Sequence, residues 1–312
     1  MVSLVRPGRG SPGRRLEGND PMELRSRFEA GDFAILAEME PPKGVDVSDM
    51  VACATAVKGD VDAFVVPEMS NAVMRMSALG AALILQDRGL ETVMQVNCRD
   101  RNRLALQADL LAAGASGIPS VMAVAGQEPS YGDHTQARAV NDLDLLGLLG
   151  ALRSLGQGRD MADIELEGAA SFLVGSTVEA GAWGRSPEVE LQEMNRKVEA
   201  GATFFVTPPI FDPAIIAPFL ERVEAHPSGV KIVSTVLLCK SLGMARYLAR
   251  NVDHVHVPEA LIERIGGAAD KPRECVAIAA DLVGALRAVG VAGVVLSTMG
   301  WEDKLPEILR LI

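Results

Sequence analysis

A chain of 312 residues with 48% apolar side chains has enough material for a large core, as one big α/β unit or two ordinary domains. Its 41 acidic and 30 basic residues give a formal charge of -11, which disfavours nucleic acid and anionic membranes as partners and obliges an anionic ligand to find a local basic pocket. No apolar run reaches the roughly 18 residues of a membrane span, and Cys53, Cys98, Cys239 and Cys275 form no CxxC pair and meet no histidine at metal-ligand spacing, so reduced thiols in a cytoplasmic protein are expected.

Residues 1–21 scatter Arg6, Arg9, Arg14 and Arg15 among Gly and Pro without an apolar h-region, which reads as a disordered tail or an over-extended gene start. The folded domain is expected over 22–312. A short helix from Met22 to Ala30 stops at Gly31, and a strand from Phe33 to Glu40 closes at Pro41-Pro42. Helical and extended patterns then alternate. Helices are expected over 48–57, 77–87, 104–113, 143–155, 188–200, 213–225, 241–250 and 275–288. The strands between them fall over 62–67, 92–96, 120–125, 170–175, 203–207, 230–235 and 291–298. A short extended piece at 252–257 is left out of this count.

Eight strands without a linker match a (β/α)8 TIM barrel in a single domain, with an open doubly wound sheet as the alternative. No G-x-G-x-x-G follows the first strand, so a Rossmann site loses its main support. In a barrel the strand ends share one rim, which gathers Glu38, Glu40, Glu68, 97–102, 126–128, 175–179, 207–209, Thr235 and 297–299. The stretch Gln95 to Asn102 is the most polar of these strand ends. Glycines at 126 and 175 would let a ligand approach the backbone. Lys197 and Arg99 are the cations suited to a phosphate group, although Arg99, Asp100, Arg101 and Asn102 also suit a local ion-pair and helix-capping set. Glu38 can serve as a buried acid or as the structural partner of Lys43 or Arg99. Met69, Met74 and Met76 read as core filler, and Trp183 and Trp301 as stacking or core residues.

Five blocks resemble, in order, the flavin-dependent methylenetetrahydrofolate reductase family. They are Glu38-Met-Glu-Pro-Pro-Lys-Gly, Cys98-Arg-Asp-Arg-Asn-Arg-Leu-Ala-Leu, Gly117-Ile-Pro-Ser-Val-Met-Ala-Val-Ala-Gly-Gln-Glu-Pro, the pair Asn195-Arg-Lys-Val-Glu-Ala-Gly-Ala with Phe204 to Asp212, and Ala292 to Glu302. The resemblance implies a TIM barrel with FAD across its rim, passing hydride from flavin N5 to methylenetetrahydrofolate or running in reverse, with Glu38 as general acid. It places FAD against Arg99, Asn102, Gly126, Gln127, Asn141, Asp142, Gly175, Glu190 and Lys197, and folate against Gln127, Thr207 and Pro208. It also implies NAD(P)H or an electron-donating protein as partner, and admits a homo-oligomer. Asn141 and Asp142 equally suit the start of a helix, with Asp142 as N-cap. The chain departs from the family pattern at Gln95, Ala125, Gln127, Pro208 and Val295. Those departures keep two other readings in view: a flavin- or folate-binding subunit that is non-catalytic or partner-dependent, and a flavin-free pterin methyltransferase barrel.

Overall fold

A computed structural model describes residues 24–182, 184–224, 229–252 and 255–312. The expected tail over 1–21 and Trp183 lie outside them. Eight parallel strands close into one barrel in sequence order, with the last strand pairing with the first. Chain order runs α1 (Leu24–Ala30), β1 (Ala34–Glu38), α2 (Ser48–Ala56), β2 (Ala63–Val66), α3 (Ala78–Gln86), β3 (Thr92–Asn97), α4 (Arg103–Ala115), β4 (Ser120–Val124), α5 (Leu145–Gly156) and β5 (Leu173–Thr177). It continues α6 (Pro187–Ala200), β6 (Phe204–Pro209), α7 (Pro213–Glu224), β7 (Lys231–Leu237), α8 (Leu242–Asn251), α9 (Glu259–Gly267), α10 (Lys271–Ala288), β8 (Gly293–Ser297) and α11 (Leu305–Leu309). All eight expected strands are present, and the open-sheet alternative is excluded.

Side chains alternate along each strand, so each one feeds two cores. Outward residues meet the helices in the larger core, where Phe205, Phe219, Leu110 and Leu148 are fully buried. Inward residues, among them Leu36, Val65, Val93, Phe204, Val233 and Val295, fill the barrel as a packed interior. Helix α1 plugs its lower end with Leu24 and Phe28, whose ring lies 5.8 Å from that of Phe204. Gly175 belongs to this interior: a Cβ there would lie 2.2 Å from Cζ of Phe204. Where the sequence suggested room for a ligand or cofactor at Gly175, its missing side chain makes room for a phenyl ring.

Helix starts follow capping chemistry. Ser77, Asn102, Asp144, Ser186, Ser241 and Asp270 each accept from a free amide of the first turn. Asp270 and Pro272 begin α10 at Lys271, earlier than the expected Cys275. Helix α9 was not expected, and 255–257 form no strand. Pro208 and Pro209 carry no amide hydrogen, and the β6–β7 register shifts between Val206 and Pro209. Among the described residues no helix is long and apolar enough to cross a membrane.

Candidate functional site

On five strands the inward face ends in a polar residue one alternation above the interior filling. Glu38 follows Leu36, Gln95 follows Val93, Thr235 follows Val233 and Ser297 follows Val295, while Thr177 ends β5. Glu38, Gln95, Thr177, Thr207, Pro208 and Thr235 line a mouth of about 280 Å³, floored by Val65, Met122 and Val295.

Glu38 is the chemically distinctive group of this mouth. Burial pushes its carboxyl up to about 7, opposed by the hydrogen bond from Ser297 and reinforced by the like charges of Glu40 and Glu302. Ser297 Oγ donates to Glu38 Oε1 at 2.8 Å. The expected pairing with Lys43 or Arg99 is not what forms. Lys43 bonds Asp133, and Arg99 bonds Asp100. Glu40, the neighbouring carboxylate, pairs with Arg75 at 2.9 Å.

Arg99 is buried, and each nitrogen of its guanidinium donates one bond within the protein. Its Nε and Nη2 each donate to the Asp100 carboxylate at 2.7 Å, and Nη1 donates to the Gln127 carbonyl at 2.9 Å. Buried Asn97 knits the same turn, giving its amide to Asp100 and taking the Arg99 and Asp100 backbone amides on Oδ1. Burial pushes Asp100 up, but the bonds from Arg99 and Asn97 outweigh it and leave the carboxyl below its ordinary value. Arg101 bridges buried Glu68 at 3.1 Å and Asp109 at 2.9 Å, and Asn102 caps α4. The ion-pair and capping reading of this stretch is thus the one the geometry realises. Gly126, at φ +85°, leaves space against Arg99 and Asn97, where a Cβ would lie 3.0 Å from the Arg99 Cβ. The Gln127 side chain is exposed, and its backbone does the work of holding Arg99.

Asn141 and Asp142 sit outside the mouth, both exposed, with Asn141 at φ 43°. Asp142 does not cap α5 as expected. Its carboxylate takes the side chain and backbone amide of Arg103 at 2.9 Å each, and Asp144 caps the helix.

Helix α6 supports the wall at the end of β5. Buried Glu190 accepts the Glu179 amide at 3.0 Å and contacts Arg185 at 2.9 Å, off the hydrogen-bond axis. Lys197 Nζ donates to the Thr177 carbonyl at 2.7 Å and has no carboxylate within 4 Å among the described residues. Burial pushes its pKa down, and Glu190 and Glu179 offset this only in part. Thr207 is buried, and its hydroxyl bonds the Pro208 carbonyl at 2.8 Å.

Residues 23–312 match the family described as methylenetetrahydrofolate reductase. The chain belongs to that family. It is 21% identical over 193 residues to methylenetetrahydrofolate reductase 2 of Schizosaccharomyces pombe, an alignment that covers 60% of this chain and 29% of that protein. The chain therefore spans under a third of that relative's length.

Placed in the methylenetetrahydrofolate reductase family, the departures from its pattern fall in different settings. Gln95, Pro208 and Val295 line the mouth with Glu38, whereas Ala125 and Gln127 are exposed on the turn after β4. Gln95 Oε1 faces the Glu68 amide at 3.4 Å. Three features escaped the sequence reading. Ser297 was placed on the rim but not against Glu38. Asp133 binds the Met74 amide at 2.9 Å together with Lys43 and so ties three rim loops, its carboxyl lowered to about 2 by those bonds. Met69 and Met74 are not core filler. They line a groove of about 660 Å³ with Arg99, Asp100, Asp133 and His134. Ser297 had a legible signal, since it shares a strand face with Val295 beside β1, while the Asp133 contacts span loops whose path the sequence does not specify.

Proposed function

We propose that this barrel reduces 5,10-methylenetetrahydrofolate to 5-methyltetrahydrofolate, or runs the reverse reaction, with Glu38 as the proton donor. The observation that carries this is the Glu38 carboxyl at the barrel mouth, raised to about 7 and met by a hydroxyl rather than a cation. A carboxyl in that range is protonated in a large fraction of molecules at neutral pH and so can protonate a ring nitrogen of the folate, which opening of its five-membered ring requires. In this reading Thr207 and Pro208 contact the folate.

FAD fits the chemistry of the wall at the end of β5. Lys197 is a half-buried ammonium with no ion pair among the described residues, which a phosphate oxygen would complete. Arg99 puts three of its five N–H donors into Asp100 and Gln127, so Lys197 is the cation taken here for the phosphate. Bound flavin would supply the hydride, and NAD(P)H or a partner protein would reduce it. The chain's own residues hold the phosphate through Lys197, shape the mouth through Thr207 and Pro208, and deliver the proton from Glu38.

A second reading, a flavin- or folate-binding subunit without turnover of its own, is favoured by Pro208, which offers no side-chain hydrogen bond in the mouth, and by the uncharged, exposed Gln127. One experiment separates the two. The purified protein is expected to show flavin absorbance and to oxidise added methyltetrahydrofolate with an artificial acceptor. Full flavin occupancy without that oxidation would establish the second reading, and a folded protein that takes up no FAD would refute both flavin assignments.

A further inference from the structure

The contact between β8 and β1 at the mouth has a role beyond pairing two strands. The register sets Leu36 beside Val295 and Ala37 beside Leu296, which brings the next residues, Glu38 and Ser297, side by side at the strand ends. Ser297 is only 6% exposed, and its single hydroxyl proton goes to Glu38 Oε1 at 2.8 Å. No cation reaches Glu38 within 4 Å among the described residues.

We propose that Ser297 is a positioning residue: by donating to Oε1 it fixes the plane of the Glu38 carboxyl and reserves Oε2 as the oxygen that carries the proton into the mouth. The inference rests on Glu38 being the proton donor. A carboxyl group turns freely about its last torsion, whose energy profile is broad and roughly two-fold, so an unanchored Glu38 would share its proton between both oxygens and several orientations. A neutral carboxyl that accepts a hydrogen bond at one oxygen presents the carbonyl there and the hydroxyl at the other. The serine thus selects the tautomer and aims it at once.

The surroundings leave this role to Ser297. Glu40 stands next along the chain and is held by Arg75, and Glu302 follows β8 and takes the Gly300 amide at 3.0 Å. Both are like charges that favour the protonated form of Glu38 without orienting it. Across the mouth Glu179 is a further carboxylate, and Gln95 and Thr235 are neutral, with the Thr235 hydroxyl already given to the Thr207 carbonyl at 2.7 Å. Lys240 gives its ammonium to the Met299 carbonyl. The Ser297 hydroxyl also stabilises the ionised carboxylate, so it opposes the burial and the two acids that hold the proton on.

The test compares Ser297→Ala and Ser297→Thr with the unmodified protein, reading the Glu38 carboxyl directly by isotope-edited infrared titration and, separately, turnover against pH. Loss of the donated bond is expected to raise the Glu38 pKa by about one. It should move the alkaline limb of folate turnover upward to match, and lower kcat about tenfold with KM little changed. The threonine variant, which keeps the hydroxyl, should restore both. An alanine variant whose carboxyl titrates and turns over as the parent does would overturn the proposal, as would a threonine variant as impaired as alanine. The two readouts fail separately. A Glu38 titration that moves in a protein without turnover leaves the serine contact standing and removes the reductase reading.

Discussion

The two sides of the barrel rim treat charge in opposite ways. Around β2, β3 and β4 charges are closed on themselves: Arg99 on Asp100, Arg101 on Glu68 and Asp109, and Arg103 on Asp142. Around β5, β8 and β1 the two key charges are left open, Lys197 without an ion pair and Glu38 with a hydroxyl as its neighbour. A buried charge that is paired costs little further and does little chemistry, whereas one kept unpaired is destabilising unless it titrates or receives a ligand. The closed side is built as scaffold and the open side as site, although the closed side carries the more conspicuous polar sequence.

The largest expected effect is on the open side. Glu38→Gln should cut folate turnover by about two orders of magnitude or more while leaving flavin bound and the fold intact, and turnover within a few-fold of the parent would break the contrast. The closed side should respond in stability instead. Arg99→Ala strands the Asp100 carboxylate and the Gln127 carbonyl, and a loss of about 2–4 kcal/mol in a denaturant titration is expected, with the flavin spectrum retained in the folded fraction. Lys197→Met reverses that pattern, with FAD affinity falling on the order of 10-fold, read by flavin fluorescence, and the thermal midpoint unchanged or slightly raised because a half-buried ammonium is gone.

A smaller effect concerns pH. The raised Glu38 pKa means that the folded state holds this proton more tightly than the unfolded chain, so ionisation opposes folding. Glu38→Gln should match the parent in stability near pH 4 and exceed it above about 7 by on the order of 1 kcal/mol, after allowance for the partial exposure of the side chain. The smallest effect is expected at the exposed Arg103–Asp142 pair, where Asp142→Ala should leave both the denaturation midpoint and flavin binding nearly unchanged.

Short apolar runs and helical patterns were enough to place all eight strands and the rim, because a parallel barrel buries every strand on both faces and separates them with helices. The role of Glu38 as a mouth residue was legible for the same reason. Partner choice was not. Asn97 to Asn102 presents five hydrogen-bonding side chains in six positions, and which of them pair depends on turns that bring Gln127 and Glu68 alongside, information held in tertiary distance rather than in spacing. Gly175 shows the same limit, because a glycine needed for a neighbouring phenyl ring reads, in sequence, like one needed for a ligand. Asp142 misled because two aspartates stand two apart before α5, and only the path of the loop shows that Asp144 caps while Asp142 meets Arg103.

The central claim is that Glu38 keeps its proton near neutral pH because it is buried without a cation. An isotope-edited infrared titration of the parent protein against Glu38→Gln isolates that one carboxyl. A midpoint near 7 is the predicted result, and a midpoint near the ordinary 4.5 would contradict the account.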